Sequence, residues 1–287
     1  MDDFSGKNIN ITYGSQSRLR QPKVLLQEMF WDLRASRELA WRLVIRDIRG
    51  EFRSSFLGAF WAIVPPALTA VGLTFANRTG VLNIGETNIP YPAYIMLGTV
   101  LWQTFIEALN SPEKALKTSK SMLDKVKFPH EAIILAQVGQ IFFNLFIKLI
   151  LVVIIFLIFQ VSVSWNIVLA PIAIASLVGL GVAIGLFFLP VINLVQDISR
   201  SMQLIQSVWF FLTPVIYPTP ENPYLAAIVT FNPVTPLLTT ARDWITVGYT
   251  SQPLGFLIVS LLSIPFLFFG WVVFRLSMPY LIERISL

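Results

Sequence analysis

Six long apolar runs pattern the chain, at about residues 56–77, 91–109, 133–159, 167–195, 202–217 and 254–276, and the segments between them carry most of the charge. Each run reaches or approaches the length that crosses a bilayer as an α-helix, about 20 residues at about 1.5 Å each. The third and fourth exceed it, which predicts tilt or extension beyond the hydrocarbon. The fold class expected is an all-α polytopic membrane protein with six transmembrane helices. Pro65 and Pro66 interrupt the first run, remove two backbone donors and predict a kink there. Gly181 and Gly185 stand in GxxxG spacing in the fourth, a common seat for close helix packing.

The segments between the runs have patterns of their own. At 100° per residue, Trp41, Val44, Ile45, Ile48 and Phe52 share one face, and Arg42, Arg46, Arg49 and Arg53 form an adjacent basic stripe. This predicts an amphipathic interface helix, and the pattern fits a membrane-surface anchor and a partner-binding element equally. In residues 111–129, Ser111 is placed to cap a helix opening with Pro112 and Glu113, with Leu116, Met122, Leu123 and Val126 as apolar contacts. A short Lys-rich docking helix is predicted there, and a solvated charged loop is the alternative. Residues 224–231 and 233–248 are apolar or amphipathic but too short to cross, and Pro218, Pro220, Pro223, Pro233 and Pro236 punctuate them. Two short re-entrant helices in the outer leaflet fit, provided protein or a water-filled cavity shields their backbone. An ordinary extracytoplasmic loop is the alternative.

Composition agrees with the pattern. Hydrophobic residues make up 55% of the 287 residues and charged ones only 13%, with mean hydropathy +0.69, where soluble domains carry about 25% charged residues. The absence of cysteine removes disulfides and thiolate sites, and the single His130 leaves little for a metal centre. The first forty residues lack the short basic run and apolar core of a signal peptide, so the N-terminus is expected in the cytoplasm. Lys and Arg concentrate before the first run and between the second and third, with Arg200, Arg275 and Arg284 on the same side. Both termini are therefore predicted cytoplasmic. The net charge of +5 then reports orientation, and no aromatic-interleaved basic motif calls for nucleic acid.

The stretch GVLNIGET, residues 80–87, resembles a phosphate-binding loop but places Glu86 where a Lys must reach the phosphates. With no other such motif, no H-E-x-x-H and no G-x-S-x-G, the chain has no recognisable means of hydrolysing nucleotide. In the third run Gln137, Gln140, Asn144 and Lys148 share one helix face. Such intramembrane groups face a bundle interior or an aqueous cavity. Two readings stand level: a wall of a translocation path where Lys148 attracts an anion, or a helix contact with Lys148 paired to Glu107 or snorkelling.

Several stretches, in order, resemble the type-2 ABC exporter permeases that move polysaccharides and polyol phosphates. They are RDIRGEFRSSFLGAFWAIVPP at the first run, IPYPAYIMLGTVLWQTF at the second, KVKFPHEAI before the third, FLTPVIYP at the fifth and FNPVTPLLTTARDW beyond it. The resemblance covers about residues 38–283, which makes 38–287 the transmembrane domain and 1–37 a cytoplasmic N-terminal extension. It implies a homodimer paired with two copies of a separate cytoplasmic ABC ATPase. ATP and Mg would bind there, with no cofactor in this chain and no enzymatic activity of its own. It also implies that Arg46, Asp47, Arg49, Glu51 and Arg53 lie against the ATPase, and that Lys114, Lys117, Leu123, Lys125 and Phe128 transmit its movement. Pro214, Tyr217, Asn232, Pro233 and Arg242 match the outer gate. Aromatics are expected to guide sugars along the channel, with Phe60, Trp61, Trp102, Phe105, Trp209, Phe210 and Tyr217 as candidates beside ordinary core or lipid-facing use. Glu51 and Phe52 depart from the family's basic residue followed by Tyr.

The function expected is that of the permease subunit of an ATP-driven exporter of a lipid-linked glycan of O-antigen, capsule or teichoic acid type. Its place is the bacterial cytoplasmic membrane, among membrane lipids. An ABC exporter of drugs or lipids is the related alternative. An intramembrane glycan-modifying enzyme would need a general acid or base, for which Glu107 and Lys148 are thin support. A secondary transporter would show inverted repeats or several intramembrane acids, and neither is present.

Overall fold

The computed structural model describes residues 22–54, 58–81, 84–123, 125–126, 128–194, 196–220 and 222–286, and the side chains of these other than 22, 51–54, 58–62, 194, 196 and 284–286. Helices α1 (Pro22–Ser54), α2 (Gly58–Arg78), α3 (Tyr91–Leu123) and α4 (Glu131–Ile158) are followed by a 3₁₀ turn at Trp165–Leu169. Then come α5 (Ala170–Leu194), α6 (Gln196–Leu212), α7 (Pro223–Phe231), α8 (Val234–Thr246) and α9 (Pro253–Ser286). No strand occurs among the described residues. Among the described residues, three stretches are long and apolar enough to cross a membrane, Glu131–Ile158, Trp165–Asn193 and Pro253–Glu283. The α7–α8 pair, bent by 90°, makes a fourth if counted as one broken span. The first half of α3 carries Tyr91, Pro92, Tyr94, Gln103 and Glu107, which dilute its apolar character, and α6 has only 17 residues.

Two elements differ from expectation. Instead of a separate docking helix capped by Ser111, α3 continues unbroken for 33 residues through Pro112 to Leu123. Proline inside a helix orphans the carbonyl four residues back. Here that carbonyl belongs to Ala108, and the Ser111 hydroxyl donates to it at 2.8 Å. The Ser–Pro pair that resembles a helix start therefore repairs a helix interior. Helix α1 also begins well before the expected amphipathic segment, inside residues 1–37. Its buried Leu25, Met29, Ser36, Ala40, Leu43 and Val44 recur at three- and four-residue spacing on one continuous face.

Helix α5 occupies the centre, packed between α3 and α9. Gly181 and Gly185 make the α3 approach possible. A Cβ on Gly181 would sit 2.8 Å from the Ala108 Cβ, and one on Gly185 would run into the Leu109 carbonyl oxygen. The outward faces of α4 and α9 expose Phe146, Val153, Leu157, Leu257, Leu261 and Leu262. Contiguous apolar surface of this kind needs hydrocarbon or another protein face against it. Helix α4 closes with the Val161 N–H on the Phe156 carbonyl at 2.9 Å and Gln160 at φ 50°, the left-handed stop that ends many helices.

Candidate functional site

Four of the aromatics expected along the channel gather in one seam between α3 and α6. Trp102 and Phe105, one turn apart on α3, meet Trp209 and Phe210 of α6. Ring centroids lie 6.3 Å apart for Trp102–Trp209, 5.8 Å for Trp102–Phe210 and 5.3 Å for Phe105–Trp209, all edge-on. Edge-to-face pairs add about 0.5–1.5 kcal/mol each beyond burial. Phe105 is fully buried and Trp102 nearly so, whereas Trp209 and Phe210 are half-buried. In this conformation the aromatics fill the seam. Further along, Asn110 and Gln206 exchange amide hydrogen bonds of 3.3 and 2.8 Å. Glu113 accepts from Ser199 at 3.0 Å and from Lys117 at 2.5 Å. Sequence reading passed over Asn110 and Gln206, although a polar side chain on an otherwise apolar face was the available signal.

The α7–α8 pair, the lid that the sequence leads one to expect, is built on Asn232 between the two helices. Its Oδ1 accepts from Trp209 Nε1 at 3.0 Å and from the Val234 N–H at 3.1 Å. Its Nδ2 donates to Thr213 Oγ1 at 2.8 Å and to the Leu212 carbonyl at 3.3 Å. One amide thus joins the lid to the aromatic seam. Arg242, on α8 and 4% exposed, donates to the Pro214 carbonyl at 2.6 Å and lies 3.9 Å over the Tyr94 ring. It has no carboxylate partner among the described residues. A cation held by a ring face and a carbonyl is positioned without being neutralised. Tyr94 donates to the Tyr217 carbonyl at 3.0 Å, Tyr91 to the Ile216 carbonyl at 3.1 Å, and Tyr217 to the Phe211 carbonyl at 2.6 Å. Pro214, Tyr217 and Arg242 therefore converge on Tyr94 in the first turn of α3, while Asn232 ties in through Thr213, next to Pro214, and exposed Pro233 stands at the start of α8. Tyr91, Tyr94 and Thr213 complete the lid and were not singled out from sequence.

On α4 the polar face forms a chain. Gln140 donates to Asn144 and Asn144 to Glu107, each at 3.4 Å, and the Lys148 ammonium pairs with Glu107 Oε1. Lys148 is 1% exposed, and Gln137 is buried as well. The Lys148–Glu107 pair, named in one of the two readings of the spacing, is present in this conformation.

At the opposite end, Arg46 and Arg49 of α1 are exposed, and Arg46 donates to neighbouring Asp47 at 2.8 Å. Lys114, Lys117 and Lys125 are exposed, Leu123 is buried, and Phe128 lies 5.8 Å from the His130 ring. The positions expected to matter at Glu51, Arg53, Phe60 and Trp61 lie outside the described side chains. No cluster able to hold a metal occurs among the described residues.

The description "ABC-2 type transporter" belongs to a family model matching residues 38–246. The O-antigen export system permease protein RfbA of Myxococcus xanthus is 25% identical over 203 residues, 69% of this chain and 76% of that protein. A Klebsiella pneumoniae protein of the same name is 24% identical over 208 residues, with the same coverage. The polysialic acid transport protein KpsM of Escherichia coli is 21% identical over 242 residues, 81% of this chain and 91% of that protein. With more than half its length matched, and with lid and seam falling inside the matched segment, the chain belongs to the ABC-2 type transporter membrane family.

Proposed function

We propose that this chain is the permease subunit of an ATP-driven exporter that carries a lipid-linked polysaccharide or polyol phosphate outward across the bacterial cytoplasmic membrane. It works as a homodimer with two copies of a cytoplasmic ATPase, with six spans and both termini inside. The family match over residues 38–246 carries this reading, and relatives named for O-antigen export and polysialic acid transport narrow the cargo. The α7–α8 pair serves as a re-entrant gate. Its bend and its Asn232 tie to Trp209 support a lid whose opening and the parting of the aromatic seam are one event. Sugars then stack on Trp102, Trp209 and Phe210 as those rings separate, a use for which flat aromatic faces are suited. Exposed Arg46 and Arg49, with Lys114 and Lys117, meet the ATPase.

Co-expression with an ABC ATPase subunit from the same genome tests the assembly. The expected particle contains two copies of each chain, and only that particle hydrolyses ATP. Hydrolysis by this chain alone, or failure to bind any ATPase subunit, would remove the proposal.

A further inference from the structure

Arg275, read from sequence only as an orientation marker, is the hub of a charge cluster joining three helices. From α9 it donates to Glu131 Oε1, the first residue of α4, at 2.6 Å and to Asp32 Oδ2 of α1 at 2.5 Å. Glu28 Oε2 of α1 lies 3.5 Å away. Trp271, one turn earlier on α9, donates to the same Glu131 oxygen at 3.3 Å, and its ring meets Phe30 of α1 edge-on at 5.8 Å. Glu131 is 4% exposed and Met29, beside this cluster, is fully buried. A planar, forked guanidinium serves two carboxylates from different helices at once in a fixed geometry, which a lysine ammonium does less well.

We propose that Arg275 is a positioning residue that clasps the first half of α1 to the start of α4 and the end of α9, so that the three move as one body during transport. Force applied by an ATPase to the exposed arginines of α1 then reaches α4 and α9 through residues 28–32, in addition to any route along the chain into α2. The basis is threefold. The buried stripe from Leu25 to Val44 makes the two halves of α1 one continuous packed helix. Helix α1 lies along α4. The described polar and ring contacts linking α1 to α9 centre on Arg275 and Trp271. The proposal rests on the exporter reading above for its consequence in transport, though not for the existence of the clasp.

The test uses the full chain, which has no native cysteine, with spin labels at Trp31→Cys and Tyr280→Cys, both strongly exposed on α1 and α9. Labelled chain is diluted into an excess of unlabelled chain, so that a complex carries at most one labelled protomer. Pulsed dipolar spectroscopy on the complex with its ATPase is expected to give one narrow distance, unchanged when the complex is trapped with ATP and vanadate. A nucleotide-dependent shift would overturn the proposal. In Asp32→Asn the distribution is expected to broaden, and glycan moved per ATP hydrolysed to fall about tenfold, within the usual range for a lost coupling between sites. ATP hydrolysis itself stays unchanged, and Asp32→Glu restores the ratio. An unchanged ratio in Asp32→Asn would also overturn the proposal. If Asp32→Asn proves unstable, the nucleotide test on the otherwise unaltered chain still decides. If the parent complex moves no glycan, the exporter reading fails, and the label distances in parent and Asp32→Asn still judge the clasp.

Discussion

Glu107→Ala is expected to destabilise the bundle by about 3–5 kcal/mol, the range for stranding one partner of a buried ion pair. Lys148 is 1% exposed and Glu107 is its only ion-pair partner among the described residues. Asn144 would also lose the acceptor for its amide. Melting temperature and the monodisperse fraction in detergent read the effect. A Glu107→Ala chain as stable as its parent would mean that the ammonium finds headgroups or water unaided. Joint replacement by Glu107→Gln and Lys148→Met is expected to recover most of the loss, because it removes both charges together and the glutamine carbonyl still offers Asn144 an acceptor. That stable double variant also separates the two roles considered for Lys148. Export retained in it makes the pair structural, and export lost from it makes the ammonium a contact for anionic cargo.

The second large effect is expected from Gly185→Val. A Cβ there meets the Leu109 carbonyl oxygen and lies 2.9 Å from Pro112 Cδ. Neither obstacle can swing aside, since the carbonyl belongs to the α3 backbone and the proline ring is locked to it. Helix α3 must therefore shift off α5, at about 1–3 kcal/mol for overpacking of this kind. Because α3 carries Trp102, Glu107 and Asn110, the displacement disturbs the seam along its length. The control is Gly179→Ala on the same helix, where nothing lies within 4 Å of the added Cβ. Equal thermal stability of the Gly185→Val and Gly179→Ala variants would contradict the packing described.

How much of this was legible in sequence depended on how local the signal was. The runs that became α4, α5 and α9 are continuous apolar stretches, and they appear close to their expected places because hydrocarbon permits little else. The extension of α3 past Pro112 was hidden, since Ser–Pro reads as a helix start until the Ser111 hydroxyl is seen on the Ala108 carbonyl. The early start of α1 was masked by the mixed charge of its first half, although Leu25, Met29 and Ser36 keep helical spacing. Within the site, the residues Trp102, Phe105, Trp209 and Phe210 were named as channel aromatics, and they do come together. Tyr94 and Arg275 were not given roles because their partners are remote in the chain. Tyr94 meets a carbonyl 123 residues away, and Arg275 meets Asp32 across 243. No spacing rule reaches that far.

The central claim is that this chain passes a lipid-linked glycan outward only when a separate ATPase drives it. The direct measurement is transport in proteoliposomes that contain the chain, its ATPase and a radiolabelled lipid-linked glycan, with ATP supplied on the ATPase side. The account predicts that label crosses to the opposite leaflet, where an added glycosidase releases it, only when ATP and both proteins are present. Crossing without the ATPase, or no crossing while the complex hydrolyses ATP and moves another amphiphile, would contradict it.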